Sequence, residues 1–251
     1  MILGNGRPNG HFTPCDRCPL RPRPSLREFS PEELAFVKTF KVDELRVDAG
    51  ASFLSEGTRS EYLYTVLTGW AFRYKMLNDG RRQILNYVMP GDLVGLQGSI
   101  MGEMQHSTEA LSPISLCVFE RTELMTLYNS HPPLAFDLTW IAAREERILD
   151  EHLLSIGRRS AIERAAYLIA YLYQRASALR LFNGSKVIPI TQQHVADTLG
   201  LSVVHTNKTL KKLAERGLIL WQERGCNVLD VKKLAEIAGW DGLDSGKRPF
   251  I

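Results

Sequence analysis

No stretch of this sequence approaches the roughly 18 consecutive apolar residues that a membrane span needs. Cysteine is scarce: there are four in 251 residues, Cys15, Cys18, Cys117 and Cys226. The opening residues, Met1 to Arg7, lack the apolar segment of a signal peptide. So few thiols without a secretion signal argue against a disulfide framework. A cytoplasmic protein with no membrane partner is expected. The motifs of common enzymes are missing too: no phosphate-binding glycine loop, no metal-binding histidine pair and no nucleophile elbow. His106, His131 and His152 are scattered, and His194 and His205 fall in a segment with another reading. The chain is not expected to be an enzyme.

What is present is ordinary globular composition, 44% hydrophobic and 24% charged, enough for one large or two medium domains. The net charge of +3 is unevenly spread. Residues 157–251 hold 15 Lys and Arg against 8 Asp and Glu, a net +7; the remaining 16 basic and 20 acidic residues make 1–156 net −4. A basic half joined to an acidic half suggests that the basic half meets a polyanion.

Residues 1–28, rich in Gly, Pro and Arg, read as an irregular arm. Ser30-Pro31-Glu32-Glu33 opens a helix, with Ser30 at the N-cap and Glu33 completing a capping box. From Val42 to Leu116, short apolar runs such as Tyr62–Leu67 and Ile84–Val88 alternate with Gly57, Gly69, Asn78-Asp79-Gly80 and Pro90-Gly91-Asp92. Short strands with turns at this spacing predict a small β-barrel or sandwich over 29–132. The period then becomes helical. Leu134, Leu138, Ile141, Ile148, Leu149 and His152, interrupted by Arg144 and Glu145, form a stripe along a helix over 133–156, about 35 Å long. So long a stripe predicts contact with a second copy through Leu134, Leu138, Ile141, Glu145, Ile148, Leu149 and His152; packing on the barrel is the other reading. Ser160 and Glu163 cap the next helix.

The clearest chemistry lies in 190–213. Thr191 caps a helix whose inward positions are Val195, Ala196 and Leu199, and Gly200 permits the positive φ that ends it. Ser202 caps a second helix with Val203, Leu210 and Leu213 on its apolar side. Helix, short glycine turn, helix is the helix-turn-helix pattern. The second helix would enter a major groove with its first turns toward base edges. There His205, Asn207 and Lys208 reach inward; Asn suits adenine and Lys suits guanine. Thr191, Gln192, Ser202, Val203 and Val204 line the same face, while Lys211 and Lys212 suit phosphates. Two short strands at Leu218–Trp221 and Cys226–Leu229 form a wing with Arg224 at its tip. Together, 157–251 is read as a winged helix-turn-helix bound to double-stranded DNA. Two other readings compete: a helix-turn-helix that serves protein interaction beside a small-molecule sensor, and a helical hairpin with surface lysines.

With these elements in order, the chain resembles the Crp/Fnr family of transcription regulators. Glu56-Gly57, Leu67-Thr68-Gly69, Gly80 and Pro90-Gly91-Asp92-Leu93-Val94-Gly95 resemble its double-stranded β-roll, a cyclic-nucleotide-binding-like domain. Residues 133–156 resemble its dimerisation helix, and Ala161-Ile162-Glu163-Arg164 the start of its DNA-binding domain. The resemblance implies an α+β fold, a homodimer, a palindromic operator, and activation through RNA polymerase. The departures bear on the signal. Nucleotide-binding members carry a Glu where Leu96 stands and an Arg-Ser pair further on, yet no Arg occurs between Arg82 and Arg121. Cyclic AMP is therefore not the expected effector. The oxygen-sensing branch holds an iron–sulfur cluster on four cysteines. Cys15, Cys18 and Cys117 resemble three of them, Pro24 occupies the remaining position, and the fourth cysteine ligand is missing; His11 and Asp16 are the nearby substitutes. Three readings stay open: a cluster or metal, a thiol redox switch activated by neighbouring arginines, and thiols with no sensing role. In the second helix, members place Glu where Val204 stands and Arg where Lys208 stands, and the cyclic-AMP branch adds Arg where Val203 stands. A different operator is implied.

Overall fold

The computed structural model describes residues 12–182, 186–223 and 225–251. The N-terminal half contains α1 (Pro31–Phe40), β1 (Lys41–Val47), β2 (Ser52–Leu54), β3 (Tyr62–Thr68), β4 (Ala71–Met76), β5 (Arg82–Val88), β6 (Leu93–Val94), α2 (Leu96–Met101), β7 (Ser107–Ala110), β8 (Ile114–Glu120) and α3 (Leu124–Ser130). The long helix α4 runs Pro132–Arg158. The C-terminal half contains α5 (Ala161–Ala178), β9 (Val187–Ile188), α6 (Gln192–Leu199), α7 (Val203–Glu215), β10 (Ile219–Gln222), β11 (Gly225–Val228) and α8 (Val231–Ala238).

The strands of the first half form two antiparallel four-stranded sheets, β1-β8-β3-β6 and β2-β7-β4-β5. Leu54, Val66, Val88, Met104 and Leu116 are buried together between them. Close backbone approach demands glycine at Gly69. A Cβ there would stand 2.3 Å from the Pro113 carbonyl oxygen, and its φ is +87°. Ser30 and Glu33 complete the expected capping box of α1: the Glu33 carboxylate accepts from the Ser30 amide at 2.7 Å.

Residues 12–28 are more ordered than an irregular arm. Leu20 and Leu26 are each 1% exposed, and the backbone exchanges hydrogen bonds with the C-terminal segment at Arg27–Arg248 and Ser25–Arg248. Apolar side chains spaced among the prolines and arginines anchor this segment without periodic structure, so no periodicity could reveal it.

The stripe on α4 also has a different partner from the expected one. Leu134, Leu138, Ile141, Ile148 and His152 are buried within their own protomer, and Leu149 and Glu145 are half-buried. A helix lying on a domain of its own chain shows the same period as one lying on a second chain. The apolar side chains α4 leaves exposed are Phe136, Leu153 and Leu154.

Candidate nucleic-acid interface

The two helices of the turn are built by local capping. The Thr191 hydroxyl accepts from the His194 amide at 3.1 Å, and Gly200 ends α6 with φ +65°. The Ser202 hydroxyl accepts from the His205 amide at 3.3 Å and starts α7. Val195, Ala196 and Leu199 pack inward with Leu210 and Leu213. Val203 does not join them: it is exposed, and Thr206 and Thr209 take the inward positions one turn along. The first turn of α7 therefore stands clear of the core, and the helix packs through Thr206, Thr209, Leu210 and Leu213.

That arrangement leaves one outward face. Ser202, Val203, Val204, His205, Asn207, Lys208, Lys211 and Lys212 are all exposed, with Thr191 exposed and Gln192 half-exposed beside them. Among the described residues, the side chains of His205, Asn207 and Lys208 have no hydrogen-bond or ion-pair partner, and Lys211 meets only Glu215, at 3.8 Å. The positive helix N-terminus at Ser202 adds an anion-attracting field to this cationic surface. The wing strands β10 and β11 pair antiparallel and are joined by β9. Arg224, expected at the wing tip, lies outside the described residues.

No local pattern announces how this unit is tied to the β-roll. Strand β5 is the bridge. Arg82 pairs with Asp197 at 2.8 Å, the Gln83 amide donates to the Thr198 carbonyl at 2.9 Å, and Tyr87 meets the Thr198 hydroxyl at 3.0 Å. Below them, Asp92 of the Pro90-Gly91-Asp92 turn is buried among arginines. It pairs with Arg175 of α5 and with Arg248 at 3.1 Å, and Arg144 of α4 stands 3.8 Å away. Burial alone would raise the Asp92 carboxyl; Arg175, Arg248 and Arg144 outweigh it and hold the group down at about 2. These partners are 52 to 156 residues apart in sequence, so no local pattern announces them.

Cys15, Cys18 and Cys117 do converge. They line one cavity of about 20 Å³ with Leu20, Lys41 and Ile251. Their chemistry is the reverse of an activated thiol. Burial raises Cys15 and Cys18 against the pull of Lys41, and it pushes Cys117 up to about 12. The lowering by arginines that the redox-switch reading needs is not seen: burial outweighs the pull of Lys41 and Lys38 on Cys15, and Lys41 is itself paired with Glu44 at 2.5 Å. Among the described residues an iron–sulfur cluster does not fit either; His11, one of the substitute ligands, lies outside them. The space is below one cluster's volume, and among the described residues no group of three or more His, Cys, Asp or Glu is arranged to hold a metal ion. Cys226 is buried in the wing sheet, and burial pushes it up to about 12 as well.

A larger cavity, about 370 Å³, lies between the β-roll and α4, lined by Arg73, Gly95, Leu96, His106, Ile141 and Glu145 among others. Arg73, from β4, supplies a cation to this cavity from a strand that precedes the Pro90-Gly91-Asp92 turn. Its guanidinium faces the Glu145 carboxylate at 3.2 Å. A cyclic phosphate placed there would meet that carboxylate, so this residue set does not fit a cyclic nucleotide. Burial, with Arg73 and Lys75 adding to it, pushes the His106 imidazole down to about 3.

Comparison with known proteins agrees with the architecture. Residues 44–131 match the cyclic nucleotide-binding domain, and residues 163–237 match the Crp-like helix-turn-helix domain. The nitrogen fixation regulation protein FixK of Bradyrhizobium diazoefficiens is 30% identical over 92% of this chain and 95% of its own length. The transcriptional activator protein FnrL of Cereibacter sphaeroides is 29% identical over 92% and 94%. The solved structure of FixK2 from Bradyrhizobium japonicum superposes with a TM-score of 0.70 at 27% identity, covering 78% of this chain and 96% of that one. Two domain models matched in order, and a relative of this identity over nearly its full length, establish that the chain belongs to the Crp/Fnr family of transcription regulators.

Proposed function

We propose that the chain binds a palindromic DNA site as a homodimer and regulates transcription there in response to a signal other than a cyclic nucleotide. The observation that carries this reading is the outward face of α7. His205, Asn207 and Lys208 project from a helix whose opposite side is packed, and among the described residues their side chains have no hydrogen-bond or ion-pair partner. Inserted in a major groove, Asn207 and Lys208 would read base edges, while Lys211, Lys212 and the amides at Ser202 would hold phosphates. Val203 and Val204 would offer apolar contact to thymine methyl groups. The pairing face we assign to Phe136, Leu153 and Leu154, the large apolar side chains that α4 leaves exposed among the described residues. RNA polymerase is the partner that activation in this family implies.

The test is equilibrium binding to genomic duplex fragments at several salt concentrations. Sequence-selective binding that weakens steeply with salt is the expected result. Salt-insensitive binding, or none to any fragment, would overturn it and leave the helix-turn-helix as a protein-interaction element. Pairing is checked by sedimentation: Leu153→Glu combined with Leu154→Glu converts a dimer to a monomer. A second reading of the signal, oxidation of thiols, rests on the convergence of Cys15, Cys18 and Cys117 at one cavity. It requires mass spectrometry to find peroxide-treated native protein modified at these positions with altered DNA affinity.

A further inference from the structure

A cavity of about 170 Å³ lies where the β-roll, the long helix and the DNA-binding unit meet. Strand β5 supplies Ile84 and Leu85, α4 supplies Leu149, His152, Ser155 and Ile156, α5 supplies Leu168, and α6 supplies Leu199. Its wall is almost entirely apolar. Two of its polar side chains are buried and left unsatisfied: among the described residues the His152 Nε2 and Ser155 Oγ atoms have no hydrogen-bond partner. His152 is 9% exposed and Ser155 3%.

The state of His152 follows from its other nitrogen. Nδ1 lies 2.9 Å from the Leu85 carbonyl oxygen. A carbonyl can only accept, so Nδ1 carries the proton, and in the neutral ring Nε2 is a bare acceptor. Burial disfavours the charged ring and lowers its proton affinity, against the support of the Leu85 carbonyl. The ring is fixed edge-on against Tyr167 and Tyr171, with centroids 5.7 and 5.2 Å away. An unsatisfied buried acceptor of this kind costs about 1–3 kcal/mol, and most such groups in folded proteins find a partner.

We infer that this cavity is a binding site for a small monocyclic hydroxyaromatic molecule, whose ring fills the apolar space and whose hydroxyl donates to His152 Nε2. The size supports a single ring: an engineered apolar cavity of about 150 Å³ takes up benzene. The chemistry supports a hydroxyl, because the orphaned acceptor needs a donor and, among the described residues, no lining group is hydrogen-bonded to it. Ser155 Oγ, one turn further along α4, can donate back to the same oxygen. This site is separate from the cavity of Arg73 and His106, with which it shares only Leu149. Its floor includes Gln83 and Thr198, the pair that fastens β5 to α6. A ring wedged beneath them would alter how the DNA-binding unit is seated. That regulatory consequence rests on the DNA-binding reading; ligand binding itself does not.

The experiment is a calorimetric titration of the full-length protein with phenol, and with anisole, which keeps the ring and oxygen but has no hydroxyl proton. Phenol is expected to bind with a stoichiometry of one per chain and about tenfold tighter than anisole, the factor one hydrogen bond supplies. His152→Phe keeps the ring shape and removes the acceptor, and should bring phenol to the level of anisole. In case that variant folds poorly, the ¹⁵N resonance of His152 Nε2 in the native protein provides a second readout. It should shift on adding phenol and stay put with anisole. Equal affinities, an unmoved Nε2 resonance, or no binding of either molecule would overturn the proposal. So would binding seen only at concentrations where the chain is monomeric, which would show that a second copy covers the cavity.

Discussion

Asp92 links the β-roll to α5 and to the C-terminal segment through two buried ion pairs, and its neutral isostere Asn isolates that role. In Asp92→Asn the side-chain oxygen can still accept from the Met89 amide, now at 2.8 Å, so the turn is preserved. What disappears is the negative charge facing Arg175, 2% exposed, and Arg248, 10% exposed. Stranding a buried charge in this way costs about 3–5 kcal/mol. With a urea dependence of about 2–3 kcal/mol per molar for a chain of this size, the unfolding midpoint should fall by about 1–2 M. Adding Arg175→Met removes one of the stranded cations and should return part of the loss. The pH dependence gives an independent check. The folded-state carboxyl sits near 2, below its ordinary value of 3.8. Its contribution is complete above about pH 4 and disappears as the pH falls toward 2, an amount of about 2 kcal/mol. Asp92→Asn should lack this acid-dependent component. A variant within about 0.5 kcal/mol of wild type at pH 7, the range of an ordinary surface change, would refute the argument that this carboxylate clamps the two halves together.

Further outcomes follow from the geometry. Gly69→Ala places a Cβ against the Pro113 carbonyl oxygen at a positive φ; destabilisation of about 2–4 kcal/mol is expected and is read as a lowered Tm. Cys117, 7% exposed and pushed up to about 12, should be alkylated by iodoacetamide at pH 8 far more slowly in native than in urea-unfolded protein; equal rates would contradict its burial. Arg82→Ala removes the ion pair to Asp197, whose side chains are 22% and 11% exposed. Amide hydrogen exchange in α6 should quicken while that in β1 and β8 stays unchanged.

The features that could be read from the chain are those set by neighbours in sequence. Ser30 with Glu33, Thr191 with Gly200, and Ser202 each announce a helix boundary through residues within a few positions, and each boundary is where the pattern puts it. The glycine-punctuated strands likewise show the β-roll, because a tight turn needs a residue able to take positive φ. Contacts between distant segments stayed hidden. Tyr87 and Thr198 are 111 residues apart, and nothing near either one signals the other. The stripe on α4 was legible as a stripe but not as to its partner, since Leu134, Leu138 and Ile141 would show the same spacing against either surface. Charge near the cysteines misled for a related reason. Arginines close in sequence do not approach the sulfurs, while burial, which sequence spacing does not reveal, governs the thiols. Val203 shows the limit of polarity alone: an apolar residue can be left outside when its helix packs further along.

The most direct test of the central claim is DNA selection followed by variant binding. Duplexes enriched from a random pool by the full-length wild type are titrated with two variants, His205→Ala/Asn207→Ala/Lys208→Ala and Lys211→Ala, across a range of salt. The triple variant should lose discrimination between enriched and random duplex, with about 1–3 kcal/mol lost for each bidentate base contact removed. Lys211→Ala should keep the preference, bind more weakly to every sequence, and lower the slope of log affinity against log salt by about 1. A triple variant that still prefers the enriched duplex as strongly as wild type would contradict the assignment of α7 as the reading helix.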